Sequence, residues 1–343
     1  MNIIFKEDTA QLFDQYWNSY ILVNKIDFQY SLQVLNFNLQ HSKRILNDKS
    51  FVVERNGECV GICFLPIESD NTTSVSIANG YVIKPLAKTE KIEKYIFSKI
   101  DEICLDIGVE KIKYSFSQFT ESKFNTLSKF NFIDTSTSTC NIYLDKSKEV
   151  LWRDLRKSYK SLINSMIKND KFKILFSNQE NHIELNEKYV EFHKEHMKQA
   201  GKEPRSDNIY NKQLKLLEND LASIVAVTYK KQIVIVNYYF HNNESVSYSG
   251  SSFDTSDDFQ KYPLNHFLLW NSILYFKKLG YGKLNFGQPC GYNKVNGLDD
   301  HLDDKQINIS SFKRGMGAEM KTLYRGVKFI NDDKFDIKIK ELV

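Results

Sequence analysis

Several things are scarce in this chain, and each scarcity excludes something. Only five of the 343 residues are proline, and no low-complexity linker divides the sequence. Cysteine also numbers five, an odd count without a Cys-x-x-Cys pair, so neither a disulfide framework nor a zinc ribbon is indicated. Reduced thiols in a cytosolic protein are the simplest reading. No apolar run approaches the ~20 residues of a membrane-spanning helix, so no integral membrane association is expected. The opening "MNIIFKEDTAQLF" lacks the basic-then-apolar layout of a signal peptide, and a cytoplasmic location is the expectation. Charge of one sign is lacking too: 47 basic against 43 acidic side chains leave a net +4. That balance tolerates an anionic partner without the dense basic footprint of a dedicated nucleic-acid binder.

What the chain does have is a repeat. Residues 51–67, "FVVERNGECVGICFLPI", read as strand, Asn-Gly turn, strand, and residues 222–240, "ASIVAVTYKKQIVIVNYYF", read the same way. Each hairpin precedes a further strand, "TTSVSIA" and "ESVSYSG", and then a long helix. Ile92, Ile96, Ile100, Ile103 and Ile107 mark one helical face in the first half; Leu264, Phe267, Leu268, Asn271 and Leu274 do so in the second. Each helix ends at a glycine and runs into a strand, at "DIGVEKIKYSF" and "KLGYGKLNFG". Val53 and Val225 lie 172 residues apart, as do Gly108 and Gly280. Two copies of one α/β unit are expected, each a mixed, mostly antiparallel sheet flanked by helices. The polar stretch "LDKSKEV" places the boundary so that residues 1–147 and 148–343 form the two domains. The return from helix to parallel strand is where such sheets open toward a ligand, and a cleft between the two copies is the expected site.

The order hairpin, strand, long helix, "LGYGKLNFG" and a late "FKRGMG" resembles the Fem-type (FemA/FemB/FemX-like) double-GNAT acyl- and aminoacyltransferases of bacteria. "LWRDLRKSYKSLINSMIKN" is similar to the basic helix opening the second domain there. "FHKEHMKQAGKEPRSDNIYNKQLKLL" is similar to the helix, Arg-Ser turn and helix that follow. The resemblance spans essentially the whole chain. It implies transfer of an acyl or aminoacyl group from an activated donor, aminoacyl-tRNA or acyl-CoA as co-substrate, to an amine. The acceptor it implies is a cell-wall (peptidoglycan) precursor or a surface polysaccharide sugar. Two departures stand out. The glycine-rich pyrophosphate loop of single-domain GNAT enzymes is missing from "VIKPLAKTEKIEK" and "FDTSDDFQKYPLN", and the long helical arm of some tRNA-dependent members is not evident.

Candidate site residues follow from the residues and from the resemblance. On a helix over 151–168, Arg156, Lys157 and Lys160 gather beside an apolar stripe, as a solvated basic face or as an anion clamp. Arg205 follows a Gly-Pro turn and reads as a surface arginine at a helix start or, as the resemblance implies, one that faces the cleft. His193 and His196 are three apart on one helix but lack a third metal ligand; His193 reads as a substrate-facing or general-base group or as a partly buried structural histidine. In "SVSYSGSSFDTSDDFQKYP", Tyr248, Asp254 and Tyr262 follow the central strand, with Asp254 read as a proton acceptor or a turn cap. Cys290, in the loop "NFGQPCGYNKVNG", has no identifiable acid–base partner. Finally, "SSFKRGMGAEM" sets Lys313 and Arg314 before two glycines in what reads as a strand-rich segment. The pair reads as solvent-facing cations on an edge strand or as groups turned to the cleft, and the resemblance implies that Lys313 steadies charge developing on the reacting carbonyl. A non-catalytic module binding a nucleotide-sugar or RNA, and an acyl-CoA-dependent N-acetyltransferase with an atypical pyrophosphate loop, remain as alternatives.

Overall fold

The computed structural model describes residues 1–330 apart from 43, 71, 178–181 and 243. It divides into two compact units. One comprises Met1–Ser138, Asn293–Asp303 and the chain from Thr322; the other comprises Thr139–Tyr292 and Asp304–Lys321. The division therefore falls nine residues before the expected boundary, and two later segments belong to the first unit. Strand pairing is the reason. Asn141, Ile142 and Tyr143 pair with Asn285, Leu284 and Lys283, while Arg325–Phe329 pairs with Lys111–Ser115. A polar stretch shows where a chain can turn, not which sheet its next strand completes.

In the first unit the hairpin Phe51–Arg55/Glu58–Cys63 turns at Asn56 and Gly57, with φ of 54° and 78°. Thr73–Val75 runs parallel to Lys111–Ser115, and the helix Glu90–Ile107 connects them. Thr89 caps that helix by accepting from the Ile92 N–H. Ile92, Ile96, Ile100 and Ile103 are buried as their spacing requires. Gly61 lets the helix approach the hairpin, because a Cβ there would lie 2.6 Å from Ile96 Cδ1. The hairpin belongs to a four-stranded sheet and the parallel pair to a separate seven-stranded one.

The second unit repeats the wiring in one seven-stranded sheet. Its hairpin, Ala222–Tyr229/Gln232–Asn242, turns at Lys230 and Lys231 with positive φ. Ser245–Phe253 pairs antiparallel with that hairpin and parallel with Lys283–Asn285. The intervening helix Leu264–Lys278 is buried on more than one face, by Leu268, Leu269, Trp270, Ile273 and Phe276 among others. The helix Lys157–Ile167 packs against it.

Two expectations are corrected. The basic stretch is two helices, Lys148–Asp154 and Lys157–Ile167, parted where Leu155 and Arg156 turn extended. Lys313 and Arg314 lie in the last turn of a helix, Asp304–Gly315, rather than in a strand. Ile309, Phe312 and Met316 carry the helical spacing, and the strand Glu319–Leu323 begins only after Gly317 (φ 86°).

Candidate functional site

The parallel pairing in the second unit is short. Ser245, Val246 and Ser247 face Lys283, Leu284 and Asn285; one strand then continues to Phe253 while the other leaves as a loop. Buried Asn285 shapes that departure. Its Nδ2 donates to Thr139 Oγ1 at 2.8 Å and Asn141 Oδ1 at 2.6 Å, and its Oδ1 accepts from the Gly287 N–H at 2.6 Å.

Lys313 docks on this loop. Its ammonium donates to the Gly287 and Pro289 carbonyls, each at 3.0 Å. Arg314 donates to the Gly291 carbonyl, and its guanidinium stands 4.3 Å from the Tyr292 ring centre. Lys313 is only 5% exposed, and burial holds its pKa below the ordinary lysine value, against the opposing pull of the Cys140 and Cys290 thiols. Cys290 is itself buried. The Cys140 thiol beside it is pushed far up by their mutual hydrogen bond and by burial, the environment of a structural rather than a reactive cysteine. The two glycines have local explanations: Gly315 receives the ring of Tyr159, and Gly317 adopts a left-handed turn against Asp154.

The other candidates fall into three places in the same unit. At the break between the basic helices, the Arg156 N–H donates to the Gly315 carbonyl at 2.9 Å, tying the break to the end of the Lys313 helix. Lys160 donates to the Arg153 carbonyl at 2.9 Å, and Lys157 is exposed. The break sets Arg153 on one helix and Lys157 and Lys160 on the next.

A small polar cavity of about 200 Å3 holds His193, Arg205 and Gln213 against Ser249–Ser252. His193 Nδ1 lies 2.8 Å from the Tyr210 hydroxyl. Burial, with Arg205 and His196 adding to it, lowers the His193 pKa to about 4, so the imidazole is neutral at pH 7. Gln213 Oε1 and Ser252 Oγ are buried with no hydrogen-bond partner among the described residues. Tyr248, next to this wall, packs 5.8 Å from Tyr239 and 6.4 Å from Phe286, and burial pushes its phenol to about 12.

A larger cavity of about 960 Å3 is lined by Phe253, Asp254, Phe259, Tyr262, His266 and Phe312, among others. Asp254 accepts the Ser256 N–H at 2.8 Å, a turn cap, and Tyr262 packs on Phe172 with ring centres 4.8 Å apart. Sequence reasoning missed His266. Its signal was a histidine in the first turn of the largely apolar "LNHFLLW". No group of three His, Cys, Asp or Glu residues is placed to hold a metal ion among the described residues. Nor is any described helix long and apolar enough to cross a membrane.

No protein-family model and no curated protein matches the chain. Solved structures do. FemX is similar over 99% of this chain and 100% of its own, with a TM-score of 0.66 at 13% identity. A tandem GNAT protein from the clavulanic acid biosynthesis pathway is similar over 96% of this chain and 99% of its own, with a TM-score of 0.51 at 8% identity. The chain has the double-GNAT fold. The C-terminal domain of a putative lysylphosphatidylglycerol synthetase from Agrobacterium fabrum shares this double-GNAT architecture, over 97% of this chain and 96% of its own, with a TM-score of 0.60 at 9% identity. At these identities the likeness is one of fold, and the repeat read from the sequence is its duplicated unit.

Proposed function

We propose that the protein is an N-acyltransferase that moves an acyl or aminoacyl group from an activated donor to an amine. One observation carries the reading: a desolvated ammonium, Lys313, is anchored on the loop where the parallel strands of the second unit part. Two of its three N–H donors hold main-chain carbonyls, which fixes the direction of the third. A fixed cation in a dry setting stabilises an oxyanion far better than one in water, and loss of such a donor typically costs ~3–4 kcal/mol of barrier. The fold shared with FemX and the tandem GNAT protein supports the reading.

In the proposed reaction the amine nitrogen attacks the donor carbonyl and a C–N bond forms. The C–O bond of an aminoacyl-tRNA ester, or the C–S bond of an acyl-CoA, then breaks. The amine proton goes to the departing alkoxide or thiolate, so no protein base is required. Lys313 faces the carbonyl oxygen as charge builds, with Arg314 holding the loop. Arg205 and neutral His193 take a polar, anionic part of the acceptor, for which a cell-wall peptide precursor and a surface amino sugar are the candidate classes. The free N–H and O–H groups of such an acceptor would satisfy Gln213 Oε1 and Ser252 Oγ.

The test is turnover with aminoacyl-tRNA and with acyl-CoA, each against peptide and amino-sugar amines, for the native chain and Lys313→Ala. Transfer from one donor class, reduced a hundredfold or more in the variant at unchanged donor affinity, is the expected result. Ligand binding without transfer from any donor would make the protein a binding module instead.

A further inference from the structure

The larger cavity has a character of its own. Phe253, Phe259, Tyr262, Leu264, Ile309 and Phe312 give it a mainly apolar wall, and about 960 Å3 is ample for a drug-sized ligand. Its charged lining groups do not point to an ionic ligand: Asp254 caps the Ser256 turn, and Lys305 is exposed at the start of its helix. His266 is different. Its ring is clamped edge-on between Tyr159, with centres 4.4 Å apart, and Phe312, at 5.0 Å. Its Nδ1 is buried and has no hydrogen-bond partner among the described residues. Burial holds its pKa below the ordinary histidine value, which keeps the imidazole neutral near pH 7. A neutral ring nitrogen without a partner, at the wall of an apolar chamber, suits a ligand that is greasy along its length and carries one uncharged hydrogen-bonding group.

We propose that this cavity binds an apolar acyl group, aliphatic or aryl, with His266 hydrogen-bonding the carbonyl at its head. The word "acyl" rests on the function proposed above; the apolar fit and the unpartnered ring nitrogen of His266 do not. The enzyme would then select bulky apolar acyl groups over acetyl.

The test is direct binding, by titration calorimetry, of straight-chain acyl N-acetylcysteamine thioesters from acetyl to decanoyl to the full chain. Affinity should rise roughly three- to fourfold per methylene until the cavity is filled and then level off. Ile309→Trp, which fills the chamber, should flatten that series. His266→Phe keeps the ring contacts with Tyr159 and Phe312; it should leave the slope intact while weakening every member about fivefold. Absent binding, or equal affinity along the native series, overturns the proposal without any variant having to fold. Binding that rises with chain length stands even if no acyl transfer is found, whereas a flat series in a chain that does transfer acyl groups removes this assignment alone.

Discussion

The ring of Tyr159 lies flush against the Cα of Gly315, so that a Cβ at that position would stand 2.8 Å from Tyr159 Cζ. The same ring also contacts His266, so one aromatic side chain joins the end of the Lys313 helix to the wall of the large cavity. Gly315→Ala should therefore displace Tyr159 and destabilise the protein by about 1–3 kcal/mol. Thermal denaturation checks this. Combined with Tyr159→Ala, which removes the clash, the alanine should cost much less than the two single changes added together.

Lys313 has a structural role in this arrangement besides the one proposed for it in transfer. Lys313→Met leaves the Gly287 and Pro289 carbonyls without their donor, and urea unfolding should show a loss of about 1–3 kcal/mol. Activity loss in any Lys313 variant is thus to be read at a temperature where the variant is folded. An unchanged unfolding midpoint would show that the ammonium is not seated on the loop.

His193 gives the protein an acid sensitivity. Its pKa is about 4 when folded, below the ordinary 6.5. Between those values the unfolded chain takes up a proton that the folded chain refuses, so stability is intact above pH 6.5 and falls as pH drops toward 4. The slope is at most about 1.4 kcal/mol per pH unit, less whatever screening water at the cavity provides. Urea unfolding of the native chain and His193→Gln at several pH values measures the difference, and the variant should have the flatter profile over that window.

In the first unit, Arg325 donates to Asp299 at 2.8 Å with both side chains largely buried, and its guanidinium lies 4.4 Å from the Tyr81 ring centre. Tyr81 also donates to Asp299. Arg325→Met strands a buried carboxylate and should destabilise by about 3–5 kcal/mol, whereas pairing it with Asp299→Asn should restore part of the loss. Calorimetric melting of the three variants tests it.

The repeated unit was legible because its signals are local. Asn56-Gly57 turns its hairpin whatever surrounds it, and the isoleucines from Ile92 to Ile103 face one side of any helix that forms. Lys313 was legible as a candidate, but its setting was not. Two glycines beside apolar residues suggested a bent strand, yet Gly315 is there to admit Tyr159, a residue more than 150 positions earlier. The stretch 151–168 read as one helix, and the break at Leu155–Arg156 has no proline or glycine to announce it.

The sequence by itself determined the duplicated α/β unit, its hairpins and helices, and the scarcity of features that would have made it a disulfide scaffold or a membrane span. Those depend on periodicity and turn chemistry, which each short stretch carries alone. Tertiary structure decided which strands complete which sheet, that Lys313 is buried on the loop from Gly287 to Gly291, and that His266 borders an apolar chamber. Each of these is a contact between segments far apart in the chain, selected by packing and by the need of every buried polar group for a partner, and neither requirement can be evaluated until the chain has closed on itself.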